Sequence, residues 1–347
     1  MGPESLVRKQ KVGIREQGHT MIRVSKPMLE KHQVAIYFTA VFAGLLVATV
    51  VGRSSAALET WINPALAALL YVTFLQVPMT SLRQALTHGR FLSALLIVNF
   101  VAVPLVVLGL IQFLPDNPAL QFAVLLVLLT PCIDYVVVFT HMGRGDAKLI
   151  LAATPVLLIA QILLLPLYLG LFLGADAAGL VQARPFLNAF FWLIAVPLVF
   201  AWLTQYRAAR RELGKRVEGA MGWLPVPLMA LVLLIVFAAV APQIGAASTD
   251  VAWTVPIYVA FAIAMPLVAY AVGKLLGLDV GAGRALAFSA GTRNSLVVLP
   301  LAFAVPGDGA LIPAVVVTQT LVELVSELVY VRWIPRLIKT ATERETL

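Results

Sequence analysis

The sequence predicts an all-α membrane protein of ten transmembrane helices, arranged as two five-helix halves in inverted orientation, with helices 4 and 9 broken. Three observations predict it. Mean hydropathy is +0.95 and charged residues are 12% of the chain, against roughly 25% in soluble domains. Ten apolar stretches each approach the ~20 residues that a helix needs to cross a bilayer. Two of those stretches, five apart, are interrupted by polar residues: Thr130-Pro131-Cys132-Ile133-Asp134 and Ser289-Ala290-Gly291-Thr292-Arg293-Asn294-Ser295.

In order, the stretches are 34–51, 61–80, 91–113, 119–140, 149–173, 186–204, 223–242, 252–273, 285–305 and 311–331. Their connections are short, so one integral domain is expected over 33–335, between cytoplasmic tails at 1–32 and 336–347. The N-terminal tail is polar and basic without a central apolar run, unlike a cleaved secretory signal. The net charge of +8 does not indicate nucleic acid, because the basic residues follow the membrane. With both termini inside, 22 of the 25 Lys and Arg lie in cytoplasmic segments, only Arg53 and Arg184 fall outside, and Arg293 lies within a span. Excess Lys and Arg on the cytoplasmic side sets orientation, and an even number of spans in a plasma (inner) membrane satisfies that rule at every loop.

Ten spans divide into five plus five, and an odd half forces the second to enter the membrane in the opposite sense. Polar backbone at bilayer depth survives only where protein or a water-filled cavity satisfies it, so two breaks at corresponding places point to one shared site and to secondary transport. Pro131 removes a helical hydrogen bond and breaks the fourth span. In the ninth, Gly291 amid hydroxyl and amide side chains is expected to supply the flexibility for a second break. Helix ends at such breaks offer donors to anions and free carbonyls to cations.

Several residues there carry chemistry. A guanidinium at mid-span, Arg293, is costly unless it is paired or hydrated; it either faces a substrate cavity or pairs with an acid, for which Asp134 is the nearest candidate in kind. Asp134 itself is a counter-ion or a proton carrier. Glu323 and Glu327 share a helix face at i, i+4 spacing. Glu323, the deeper, is read as proton-coupling or as a partner of Arg293 or of a backbone group, and Glu327, nearer the helix end, as solvated. Cys132, the single cysteine, excludes an internal disulfide and a multi-thiolate cage, and stands either as a small buried hydrophobe or as a soft ligand in the break. Ser289, Thr292 and Asn294 are candidate polar ligands, as are Gln161 and Asn99, which are alternatively ordinary interhelical hydrogen bonds.

An enzyme is not expected. Gly143-Arg144-Gly145-Asp146 matches the short pattern of intramembrane aspartyl proteases, but that chemistry requires two aspartates sharing a proton, and Asp146 falls in a basic loop with no partner motif. No metalloprotease, phosphate-loop or nucleophile-elbow pattern occurs, and no cofactor is implied. The Gly170 and Gly174 pair leaves the oligomeric state open.

Cys132-Ile133 followed by Val136-Val137-Val138 and Gly145-Asp146, the stretch from Thr154 to Gln161, and Phe288-Ser289-Ala290 with Asn294 resemble the bile acid:sodium symporter superfamily and, within it, the arsenite efflux permeases. The likeness extends over about 33 to 335. It implies a panel of spans 1, 2, 6 and 7 and a core of spans 3–5 and 8–10 in which spans 4 and 9 cross. Two departures accompany it. The ninth-span sodium ligands of the sodium-coupled branch correspond to Ser289 and Arg293 here, a fixed cation in place of a mobile one. The acid of the arsenite branch has no counterpart beside Asn294, leaving Asp134 as its relocated substitute. The expected activity is export of a trivalent arsenical such as arsenite by proton exchange, with Cys132 contacting the transported arsenic, Arg293, Asn294, Thr292, Ser289 and Gln161 shaping the cavity, and Asp134 or Glu323 carrying protons. The alternative is a small organic anion, a carboxylate docked on Arg293.

Overall fold

The computed structural model describes residues 26–51, 56–76, 87–133, 135–177, 191–208, 219–246, 248–305 and 311–339, with Arg210 and Arg216 beside them. Asp134, Arg53 and Arg184 lie outside the described residues. The described elements are helical: α1 (Lys26–Val51), α2 (Ala56–Gln76), α3 (Gly89–Ile111), α4 (Pro118–Leu128), α5 (Val136–Met142), α6 (Ala147–Ala177), α7 (Val196–Ala208), α8 (Pro225–Ala246), α9 (Ser248–Leu275), α10 (Val280–Gly291), α11 (Ser295–Phe303) and α12 (Leu311–Leu337). Seven of them, α1, α2, α3, α6, α8, α9 and α12, are long and apolar enough to span a bilayer. The first helix begins at Lys26, eight residues before the apolar stretch assigned to it.

Helix starts follow from local chemistry. Asn117 accepts from the N–H groups of Ala119 and Leu120 at 3.1 and 3.2 Å, with Pro118 in the first turn of α4. Asp146 does the same for Lys148 at the start of α6, and Asp279 for Ala282 at the start of α10. Each acceptor satisfies a donor that the first helical turn cannot. Asp146, the residue of the protease-like pattern, is thus a helix cap.

Prolines inside the long helices are compensated from outside. Pro104 has no N–H for the carbonyl of Phe100, and the Tyr168 hydroxyl of α6 donates to that oxygen at 2.5 Å. Pro266 likewise frees the carbonyl of Ala262, which accepts from the Tyr330 hydroxyl of α12 at 2.5 Å. Next to Pro104, α3 takes a π-helical turn at Val98–Ala102 that carries Asn99. Such a turn re-aims side chains and is frequent at functional positions.

Two groups of helices pack against one another. α1 and α2 lie on α8, and α2 also packs on α7. The second group joins α9 to α10 and α12, α11 and α4 to α12, and α6 to α4 and α5. The groups meet where α8 touches α12 and α2 touches α11. α1 approaches α8 so closely that a Cβ at Gly44 would stand 2.7 Å from the Leu234 carbonyl, which only a glycine allows. The outer faces expose Phe42, Leu46, Leu105, Leu163, Leu167, Phe200 and Ile263, an apolar exterior suited to lipid rather than water.

Candidate functional site

The two interrupted stretches meet. α4 stops at Leu128 because Pro131 cannot continue a helix and restricts the residue before it. α10 stops at Gly291, where Thr292 turns extended with φ −102° and ψ 128°. The two non-helical pieces run antiparallel, with Pro131 opposite Arg293. Cys132 N–H donates to the Thr292 carbonyl at 3.2 Å and Asn294 N–H to the Thr130 carbonyl at 2.9 Å. Each break thereby satisfies the other's backbone, which makes unwound chain tolerable among buried helices.

Asn294 then caps α11, its side-chain oxygen accepting from Val297 N–H at 3.2 Å. Gly291 is the last helical residue of α10, and its backbone conformation requires no glycine. The constraint is packing: a Cβ there would lie 2.6 to 2.9 Å from the ring and hydroxyl of Tyr330. The helix thus ends at Gly291, where close packing against Tyr330 requires a glycine, and Thr292 is the first unwound residue.

Arg293 is fully buried, and its side chain is held mainly by main chain. One terminal nitrogen donates to the Ser289 carbonyl at 2.6 Å, the Ala290 carbonyl at 2.9 Å and Asn99 Oδ1 at 2.8 Å, and the other to the Leu128 carbonyl at 3.3 Å. The guanidinium thus closes the carboxyl ends of both α4 and α10, where unsatisfied carbonyls concentrate negative partial charge. Asn99 is positioned by the π turn and donates to Leu95 O and to Ser289 Oγ at 3.0 and 3.2 Å. The Phe261 ring lies 5.4 Å from the guanidinium carbon, within cation–π range. The fork geometry suits this task, since one group must reach carbonyls on two helices.

α12 brings the acids. Glu323 accepts from Tyr135 Oη at 2.5 Å, from the backbone N–H of Arg293 at 2.8 Å, and from the Gln319 side-chain amide. Of the readings open for Glu323, its hydrogen bonds are those of a partner to backbone at the second break. Gln319 in turn accepts from Ser295 Oγ at 2.6 Å, at the start of α11. Glu327, expected in solvent, is fully buried and bonded to the Thr292 hydroxyl. The reason is tertiary: α10 and the second break cover this turn of α12.

The break thus gathers Pro131, Cys132, Thr292, Arg293, Asn294, Ser289 and Glu323 into one buried cluster. Cys132 is buried and not in a disulfide. Gln161 is buried on α6 with Oε1 unpartnered, and it joins none of the cluster's described hydrogen bonds. No group of three or more metal-ligating side chains occurs among the described residues. Three participants escaped the sequence reading: Tyr135, Gln319 and Tyr330. A stripe Gln319, Glu323, Glu327 at four-residue spacing in an apolar helix was the available signal.

A cavity of about 760 Å³ lies between the helix groups, beside the cluster. Ile133, Tyr135 and His141 line it on one side, and Gln33, Tyr37, Thr73 and Met229 on the other. Tyr135 is the link, since the same residue faces the cavity and bonds Glu323.

The model of the Sodium Bile acid symporter family matches residues 63–247, more than half of the chain. That segment includes the first break and ends before the second. Among curated proteins, none matches.

Proposed function

The chain belongs to the sodium bile acid symporter family, and from that premise we propose that it is a secondary active transporter that exports arsenite or a related trivalent arsenical in exchange for protons. It is a multi-pass membrane protein of a family whose members are transporters rather than enzymes. The observation that carries the substrate reading is the place of Cys132: the single thiol of the chain sits in the paired backbone of the two breaks, one residue from the cavity wall at Ile133.

Arsenic(III) is a soft thiophile, and one thiolate makes a contact that can be reversed. As the Sγ–As bond forms, an As–O bond breaks and the thiol proton leaves with the hydroxide as water; release reverses each change. Ten crossings are part of the proposal, the broken pairs α4/α5 and α10/α11 and the shorter α7 adding three to the seven long helices. The repeated Pro–Tyr arrangement supports an internal repeat, because Tyr168 serves the helix of Pro104 as Tyr330 serves that of Pro266.

Proton rather than sodium drive is supported by Arg293. The carbonyls of Leu128, Ser289 and Ala290, which suit a cation, are already engaged by a tethered one. The cavity, placed on the side that the charge distribution assigns to the cytoplasm, supports loading from within before export.

The size of that cavity favours a second reading. About 760 Å³ lined largely by apolar side chains falls in the range of pockets for larger organic ligands, and an amphipathic carboxylate would fit it. Docking such a carboxylate on Arg293 is disfavoured, because the guanidinium is buried behind the breaks.

Flux into inverted vesicles decides between them. Arsenite uptake under an imposed proton gradient, unchanged when sodium is replaced by choline and lost in Cys132→Ser, is the expected result. Full arsenite flux in Cys132→Ser would sink the thiol role, and uptake of carboxylates but not arsenite would transfer the assignment to the second reading.

A further inference from the structure

The hydroxyl of Thr292 has one hydrogen and two neighbours that require it. Its oxygen is 2.6 Å from the Phe288 carbonyl and is also hydrogen-bonded to Oε1 of Glu327. A backbone carbonyl can only accept, so the Thr292 hydrogen points to Phe288, the common back-bond of a hydroxyl residue to the carbonyl four positions earlier. The hydrogen in the Thr292–Glu327 contact must then belong to the glutamate. Reversing the assignment would press two oxygens together at 2.6 Å with no hydrogen between them.

Two further observations agree. Oε2 of Glu327 is buried with no described donor, tolerable for the carbonyl oxygen of a neutral acid but not for a carboxylate sharing its charge over both oxygens. Glu323, one turn away, accepts from the Arg293 backbone N–H and the Gln319 amide, and the Tyr135 hydroxyl lies nearer to it, at 2.5 Å, than to the Arg293 carbonyl at 3.3 Å, so its carboxylate is supplied with donors as an ionised acid requires. Charge balance points the same way. Among the described residues, the titratable groups that interact with Glu327 are Glu323 and Tyr330 on its own helix and Tyr135 beside the first break, with Arg293 at the second break facing Glu323. One guanidinium matched by one carboxylate leaves no cation among them for a second buried anion.

We propose that Glu327 is a proton-binding site, and that Thr292 reads its state. With the acid protonated, Glu327 donates to Thr292 and Thr292 donates to Phe288, so the last turn of α10 is held by both the hydroxyl and the backbone N–H of Thr292, the latter at 3.1 Å. When the proton leaves, the carboxylate takes the Thr292 hydrogen, and Phe288 keeps the backbone donor alone. The proton thereby sets how firmly α10 is closed one residue before Arg293, where the two breaks cross. That this proton is the one exchanged for substrate rests on the transport reading above; the protonation itself does not.

Infrared spectroscopy of the full chain in lipid at neutral pH tests the site directly. The carbonyl stretch of a protonated carboxyl is expected in the wild-type protein and in Glu323→Gln, and is expected to be lost in Glu327→Gln, whose amide can still donate to Thr292 and so preserve the fold. Absence of a Glu327-dependent band, or its loss only in Glu323→Gln, overturns the proposal. In proteoliposomes, wild-type flux is expected to fall when the proton gradient is collapsed, whereas flux in Glu327→Gln is expected to be the same with and without it; a full gradient response in that variant removes Glu327 from coupling. A Glu327-dependent band in a protein that moves no arsenite would refute the substrate reading and leave the proton site standing.

Discussion

Replacing Tyr330 with phenylalanine tests whether side chains supply the backbone hydrogen bonds that prolines withdraw inside these helices. Pro266 leaves the Ala262 carbonyl without a helical donor, and Tyr330 donates to it at 2.5 Å. Tyr330 is 3% and Ala262 8% exposed, so water cannot substitute. The variant keeps the ring against Phe288 and Trp333 and removes only the hydroxyl. A buried carbonyl stripped of its donor costs about 1–3 kcal/mol, roughly a 5- to 150-fold change in the folded-to-unfolded ratio at tenfold per 1.4 kcal/mol. Pro266→Ala returns an N–H to the position that bonds Ala262 O. The double variant should therefore recover most of the loss, giving a coupling energy in the range of ~0.5–3 kcal/mol. Unfolding of the purified protein in lipid or detergent, followed for wild type, both single variants and the double, measures it. Equal stability of Tyr330→Phe and wild type, or no recovery on adding Pro266→Ala, would refute the reasoning. Tyr168→Phe should change stability in the same direction by less, because Tyr168 is only half-buried.

Asn99→Leu removes one acceptor of the Arg293 guanidinium while leaving the Ser289 and Ala290 carbonyls on the same nitrogen; a loss of about 1.5–3 kcal/mol, the scale of a hydrogen bond to a charged group, is expected in the same unfolding assay. Gly291→Ala places a methyl 2.6 to 2.9 Å from the Tyr330 ring and hydroxyl, and the forced shift should destabilise by about 1–3 kcal/mol. A Gly291→Ala protein as stable as wild type would show that α12 can move away freely.

Much of the site could be read before any coordinates. The two polar interruptions, Pro131 and the run around Arg293, were legible because uncompensated polar backbone is too costly in an apolar helix to occur without purpose. Cys132, Ser289, Thr292 and Asn294 were singled out by their neighbourhood in the chain, and Glu323 by its depth in the tenth apolar stretch. Gln161 shows the complementary case: an amide on a long helix looks the same in sequence whichever face it occupies, and only the fold shows that it is buried with Oε1 unpartnered.

Composition and the spacing of apolar stretches alone determined that this chain is helical and lives in a membrane, since each helix satisfies its own backbone and exposes its own apolar surface. Tertiary structure decided everything that needs two segments at once. It matched the guanidinium of Arg293 to carbonyls on α4 and α10, took Glu327 out of solvent by laying the second break over it, and packed Gly291 against Tyr330. Those outcomes depend on which helix faces which, a property of packed surfaces that no residue carries by itself.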